Sequence, residues 1–465
     1  MEEKISAKEL ESRLTYKIDH IAKRDRSFVE KSYEFCEGYM DFLSRAKTER
    51  LANEYIIEMA RANGYVEFDP EEYYPAGSKV YVDNRGKSVI LSTIGREKVS
   101  RGVNIMASHI ESPRLDLKPN PLYESQEIAY FKTHYYGGVK RYQWGTIPLA
   151  LHGVVIRTDG KKIDVHIGED PADPVFVITD LLPHLAKDQR ERKMADVLRG
   201  EEMNIVLSSL PYEGEDIKEA VKLQALVLLN EKYGITERDF LNAELEIVPA
   251  GGARDIGLDR SMIGAYGHDD RVCAYTSLMA EIETKDPLRT TVSVYADKEE
   301  VGSDGVTGLH SDFLEHFIIY ISQMQGVNYL TTLRNSKCLS ADVNACFDPT
   351  FRDVMEARNS CYLNKGAVIT KYTGSGGKGG TNDAGAEFVA EITNLLDEKG
   401  VFWQTGEIGK VDQGGGGTVA KFVSQKNVDT VDIGVPVLSM HSPFEQVAKT
   451  DVYATYQAFL AFLDR

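Results

Sequence analysis

Residues 291–300 read TVSVYADKEE, a short run of strand-forming residues that stops at a cluster of carboxylates. Valine, threonine and tyrosine favour an extended chain, and Asp297, Glu299 and Glu300 follow at its carboxyl end. The same arrangement recurs along the chain. Residues 103–107 (VNIMA) lead to His109 and Glu111, residues 338–341 (CLSA) to Asp342, and residues 435–440 (VPVLSM) to His441. Pro436 either begins the last of these strands or puts it on an edge. A further segment, GHDDRVCAYTSL from residue 267, places Asp269 and Asp270 where a glycine-led loop opens into a helix. Ligands of open α/β sheets gather outside the carboxyl ends of strands. The pattern therefore predicts loops that deliver two histidines and several carboxylates to one crevice.

The surrounding chain fits that class. From about residue 243 onward, strands alternate with longer helical segments, the signature of an α/β fold with a mostly parallel central sheet covered by helices. The first 65 residues read as helical, with Phe35, Met40, Phe42 and Leu43 at helical spacing. Between about 120 and 240 the character changes. Residues 154–158 and 161–167 flank Asp159-Gly160 and predict a hairpin with a two-residue type I′ turn. A strand over 175–179 and a helix over 216–233, ended by Gly234, follow. The expected organisation is an α/β domain from 1–118 and 240–465, with an inserted β-rich module over 119–239.

Composition narrows the function. The 465 residues carry 54 Lys+Arg against 72 Asp+Glu, a formal charge of −18 with no basic cluster, which disfavours nucleic acid and anionic membrane surfaces as partners. No run approaches the roughly 18 apolar residues of a membrane span, and the charged start MEEKISAKELESRL lacks the apolar core of a signal peptide. Five scattered cysteines without a Cys-x-x-Cys pair suit reduced thiols and a cytoplasmic protein. The glycine-rich stretch 374–380 is no phosphate loop: Tyr372 stands where its first glycine belongs, and Gly379 follows Lys378 where serine or threonine should. Gly414–Gly417 reads either as a flexible loop or as backbone that a ligand approaches closely.

Imidazole and carboxylate without thiolate suit a divalent ion such as zinc, manganese or cobalt. A shared carboxylate lets two ions sit about 3.5–4 Å apart and clamp a bridging water. In an adjacent Glu-Glu pair, one carboxylate can bind metal while the other remains free as general base. Each element also has an ordinary reading: glutamate pairs decorate solvated faces, aspartate pairs cap helices, and strand-end histidines take local hydrogen bonds.

Five ordered motifs, ASHIESPRLDLKP, GLDRSMIGAYGHDDRV, ADKEEVGS, LSADVNACFDPTF and SMHSPFEQVAKTDVYATYQAF, together resemble the M18 family of metalloaminopeptidases, the aspartyl-aminopeptidase-like group. Gly409-Lys410-Val411-Asp412-Gln413 with its following glycines looks like the bacterial branch. The resemblance implies a zinc-peptidase-type domain interrupted by a dimerisation or lid module. It further implies an aminopeptidase that hydrolyses the N-terminal peptide bond through a metal-bridging water. It makes Asp269 the bridging ligand, His109 and Asp342 the rest of one ion's shell, Glu300 and His441 the other's, and Glu299 the general base. Glu111 stands where the family usually has an aspartate that buttresses the metal-binding histidine. His152 resembles a family histidine that reaches from the module into a neighbouring active site, in dimers that build a tetrahedral dodecamer. The family's substrate-recognition motif is replaced here by the Gly/Lys-rich 374–382, so a preference for acidic N-terminal residues is not implied. The competing readings are another two-metal amidohydrolase, such as a dipeptidase or N-acyl deacylase, and a non-catalytic assembly protein.

Overall fold

The computed structural model describes residues 5–214 and 217–465. Its larger sheet has nine strands, in the spatial order Val66–Glu67, Lys79–Asn84, Ser88–Thr93, Thr291–Ala296, Asn104–His109, Lys337–Ser340, Asp429–Gly434, Ala367–Thr370 and Trp403–Thr405. The four strands from Thr291–Ala296 to Asp429–Gly434 are mutually parallel. Ser88–Thr93 and Ala367–Thr370 join them antiparallel, one on each side. The sheet is therefore mixed but mostly parallel: the edge pairs Val66–Glu67 with Lys79–Asn84 and Ala367–Thr370 with Trp403–Thr405 are each parallel, and only Ser88–Thr93, Ala367–Thr370 and Trp403–Thr405 run against the central four. On one flank, Lys79–Asn84 and Ser88–Thr93 are joined by too few residues for a crossover, and a connection that short produces an antiparallel pair.

Both faces of the sheet are buried. Ile105, Ala107, Val292 and Val294 pack with Leu314 and Phe317 in one core. Met106 and Tyr295, on the opposite pleat, pack with Phe42, Val272 and Phe459 in another. This two-sided burial explains why these strands read as apolar runs and not as strict alternation. Helix His268–Glu283 is buried along nearly its whole length, and the C-terminal helix Lys449–Leu463 belongs to the same core. The expected helical start appears as Ala7–Leu14, Ile21–Arg24, Arg26–Arg45 and Glu49–Ala62. The first four residues of the sequence lie outside the described residues.

A second, seven-stranded sheet is antiparallel throughout, in the order Lys162–Ile167, Leu149–Ile156, Ala243–Pro249, Arg114–Ser125, Ile128–Tyr136, Ile205–Ser208 and Val177–Ile178. It has its own core around Leu115, Phe131, Trp144, Leu151 and Ile247. Its strands start at Arg114 and end at Pro249, so the sheet is wider than residues 119–239. The hairpin at Asp159-Gly160 closes through Arg157, whose N–H donates to the Lys161 carbonyl at 2.9 Å. Three residues lie in the loop instead of two, with Gly160 at φ 84°. That is the alternative in which a type I turn is followed by a left-handed residue. The helix expected from 216 is seen as Ala220–Tyr233, ending on Gly234 at φ 68°; residue 216 itself lies outside the described residues.

One strand expectation shifts. The element before His441 is not a strand over 435–440: the central strand is Asp429–Gly434, and only Pro436–Val437 continues, paired with Asn344–Ala345 in a separate two-stranded sheet. Proline has no N–H for a ladder and sits at the first position of this short pair. Among the described residues no helix is long and apolar enough to cross a membrane.

Candidate metal centre

The parallel centre of the nine-stranded sheet sends its carboxyl ends to one edge. His109 is the last residue of Asn104–His109 and is 1% exposed. Thr291–Ala296 is followed by Asp297 and then by the single 3-10 turn Glu299–Val301, which carries Glu299 and Glu300. Asp342 follows Lys337–Ser340, and His441 follows Pro436–Val437. Asp269 and Asp270 open the buried helix but depart from helical φ/ψ, and the peptide bond between them is cis. Gly267 begins that turn at φ 79°, a conformation that favours glycine, and a Cβ there would run into the Arg271 guanidinium.

These loops converge. Asp269 Oδ1 lies 3.1 Å from His109 Nε2, and Oδ2 of the same carboxylate lies 3.1 Å from His441 Nε2. Glu300 Oε1 is 3.3 Å from His441 Nε2. Asp342 Oδ1 is 4.0 Å and Glu299 Oε2 3.9 Å from His109 Nε2. Donor atoms fall into three overlapping groups capable of holding an ion: His109 with Asp270 and Asp342; His109 with Glu299 and Glu300; and Asp269 with Glu300 and His441.

The electrostatics are those of a site built for positive charge. Burial, followed by the neighbouring carboxylates, pushes Glu300 and Asp342 well above the usual carboxylate range and Glu299 up to about 7. Burial alone would lower the His441 imidazole, but its hydrogen bond to Asp269 and the charge of Glu300 raise it to about 10. Asp269 is the exception: burial raises it, yet the imidazoles of His109 and His441 beside its two oxygens hold it below the ordinary range. Buried His109 Nε2, Glu300 Oε1 and Asp270 Oδ1 have no hydrogen-bond partner. Unpaired polar atoms are costly inside a protein, and a borderline divalent ion such as zinc, which takes imidazole nitrogen and carboxylate oxygen, fits this set of ligand atoms.

Some supporting residues were not read from the sequence. Gly138, in the chain that leaves the seven-stranded sheet, accepts a hydrogen bond from His441 Nδ1 at 2.8 Å, and a Cβ on it would come within 3.2 Å of that nitrogen. A Cβ on the preceding Gly137 would come within 3.2 Å of the Glu300 Cβ. The Gly137-Gly138 pair was the available signal, because adjacent glycines mark places where backbone is approached closely. Glu445 is also buried and accepts from the backbone N–H groups of Asp269 and His441. Glu111 holds His109 differently from expectation: His109 Nδ1 meets the main-chain carbonyl of Glu111 at 3.1 Å, while the carboxylate lies at 3.4 Å and accepts from Glu300 N–H at 2.8 Å.

A family model described as aminopeptidase I zinc metalloprotease (M18) matches residues 42–463. The chain belongs to the M18 family of zinc metalloaminopeptidases. A relative named probable M18 family aminopeptidase 1, from Clostridium acetobutylicum, is 47% identical over 450 residues, covering 95% of this chain and 97% of its own. The crystal structure of an M18 aminopeptidase from Thermotoga maritima superposes with a TM-score of 0.93 at 44% identity, covering 97% of this chain and all of that one. The mApe1 dodecamer of S. cerevisiae, at 19% identity and a TM-score of 0.75 over 94% of this chain and 97% of that one, shares the fold. This M18 chain is accordingly a zinc-dependent exopeptidase.

In the M18 chain the centre opens into a cavity of about 520 Å³. Asp269, Glu299, Glu300, Asp342 and His441 line it on one side, and Val343, Ile408, Phe422 and Met440 form an apolar wall. Gly415–Gly417 border it too, so the four-glycine stretch lies at the cavity and not in an unrelated surface loop. A second cavity, of about 540 Å³, lies between helix Glu49–Ala62 and the hairpin of the other sheet, and none of the strand-end residues lines it.

His152 is not brought to this centre. It lies within Leu149–Ile156, is 3% exposed, and its two ring nitrogens are engaged by His166 Nδ1 and Glu169 Oε1, each at 3.1 Å. Its register partner His166, on the neighbouring strand, accounts for the pairing. Within its own chain His152 therefore meets His166 and Glu169 and not the metal centre.

Proposed function

We propose that this M18 enzyme is a two-metal aminopeptidase in which Glu299 is the general base. The observation that carries the reading is the Asp269 carboxylate, which offers one oxygen toward His109 and the other toward His441. His109 and Asp342 would hold one ion, Glu300 and His441 the second, with Asp269 shared. When bound, a pair of divalent cations, zinc in this family, with cobalt or manganese as substitutes, polarises the scissile carbonyl and acidifies water.

The chain's own groups do the rest. Glu299 lies at the edge of the cluster beside His109, and burial holds its carboxyl near neutrality, where a group can both accept and return a proton. In this reading it takes the proton of the attacking water and delivers it to the leaving amine. The wall of Val343, Ile408, Phe422 and Met440 receives the substrate's side chain.

The partners we propose are peptides and further copies of the same chain, as a dimer-based assembly that extends to a dodecamer in the manner of the yeast relative. The inserted module would serve as the dimerisation or lid element. A histidine that reaches a neighbouring copy must be exposed. His184 meets that condition: it is exposed between Leu182 and Leu185, which are 50% and 68% exposed. The five unpaired thiols suit a reducing compartment, and we place the enzyme in the cytoplasm.

The deciding experiment uses aminoacyl amides with free and with N-acetylated amines, assayed before chelation, after it, and after zinc, cobalt or manganese is restored. Hydrolysis of the free-amine series alone, lost on chelation and regained with metal, is expected. Turnover of only the blocked series would move the assignment to a deacylase.

A further inference from the structure

Glu445 begins the strand Glu445–Ala448, which pairs antiparallel with Met262–Ala265 so that Glu445 faces Ala265. This register sets it beside the chain that leads through Gly267 to Asp269. The side chain is 2% exposed. Its Oε2 accepts the Asp269 N–H at 3.0 Å, and its Oε1 accepts the His441 N–H at 2.6 Å. One carboxylate therefore ties together two loops, each of which carries a ligand.

The two histidines of the centre depend on this tie to different degrees. His109 ends a strand of the main sheet, flanked by Thr291–Ala296 on one side and Lys337–Ser340 on the other, and its own ladder positions it. His441 has no such frame. It stands in a turn at φ 63°, with Ser439 at φ 56°, left-handed conformations that are strained for a non-glycine residue. Its imidazole is 34% exposed. Such a turn persists only where surrounding contacts over-determine it, and the bond to Glu445 is the one that holds its main chain from the buried side.

We propose that Glu445 is a positioning residue that fixes the His441 turn against Asp269 and thereby sets the affinity of the ion held by His441 and Glu300, without touching either ion. The inference rests on the two-ion reading above. The ion on the His109 and Asp342 side depends on Glu445 less, through the shared Asp269 alone, because its histidine is placed by the sheet.

The test is a zinc titration of the full chain by calorimetry, with zinc content after dialysis and the absorption spectrum of the cobalt-loaded protein, on wild type, Glu445→Gln and Glu445→Asp. In Glu445→Gln the first equivalent is expected to bind as in wild type and the second about 10–100-fold more weakly, with activity recovered by excess zinc and a changed cobalt spectrum for the second equivalent only. Glu445→Asp, which keeps both acceptor oxygens, is expected to lose less, and it carries the same measurement should Glu445→Gln yield no folded protein. Two unchanged equivalents in the variants overturn the proposal, and so does equal weakening of both, which marks a general loss of structure. A wild-type protein that binds fewer than two ions fails the two-ion reading itself, and this inference with it.

Discussion

Asp269 Oδ2 lies 3.1 Å from His441 Nε2 while the other oxygen of the same carboxylate is taken up by His109. A single side chain from the start of a buried helix thus spans two histidines supplied by separate strand ends. An asparagine of the same shape offers one oxygen and one NH2 group and cannot serve both sides. Asp269→Asn is expected to retain at most one zinc per chain and to lose at least about 100-fold in kcat/KM. Metal analysis after dialysis, together with steady-state rates, checks both. Full occupancy with normal rates would remove Asp269 from its bridging place.

Glu299→Gln separates binding from proton transfer. The amide keeps the size of the side chain but has no basicity at neutral pH, so kcat is expected to fall about 10²–10⁴-fold. Zinc content and KM should stay near wild type. A variant that keeps most of its turnover refutes the general-base role.

Zinc and protons compete for this centre. Without metal, His441 titrates at about 10 and Glu299 at about 7, and Glu300 and Asp342 are raised as well. At pH 7 the metal-free site therefore carries protons that its ligand groups must lose on binding. Zinc addition in weak buffer at pH 7 is expected to release at least one proton per chain, and apparent zinc affinity should rise with pH and fall as the solution is acidified. A pH indicator and titrations at several pH values read both effects. Proton-neutral binding at pH 7 contradicts the charge states described here.

Gly138→Val probes the support from the second sheet. A Cβ at Gly138 would come within 3.2 Å of His441 Nδ1, so the ring must shift and its bond to the Gly138 carbonyl must stretch. A loss of about 10–100-fold in kcat/KM is expected, with an unchanged unfolding temperature measured on the metal-free protein. Wild-type rates would show that the His441 ring does not need this carbonyl.

Which parts of the centre could be read from the chain follows from how each residue acts. His109, Glu299, Glu300, Asp342 and His441 act through side chains placed just past apolar runs, and strand-end position is a local property of sequence. Glu445 acts on the main chain of distant Asp269 as well as of nearby His441, and Gly138 on the ring of distant His441, and nothing in their neighbourhoods announces the distant partners. Which strands of the main sheet are reversed, Ser88–Thr93 and Ala367–Thr370 with Trp403–Thr405, is not legible for a similar reason: an apolar run specifies a buried strand but not its direction. An apolar strand containing a histidine such as His152 reads the same whether the ring meets substrate or a cross-strand partner, and within its own chain the ring meets His166.

The Gly138 carbonyl belongs to chain leaving one sheet, and the imidazole it steadies belongs to a turn beyond the other. Each sheet has a hydrophobic interior of its own, so each could form before the two come together. Catalytic competence would then arrive last in folding, as a report that both halves are seated. Mild denaturant should accordingly abolish turnover before it melts either half.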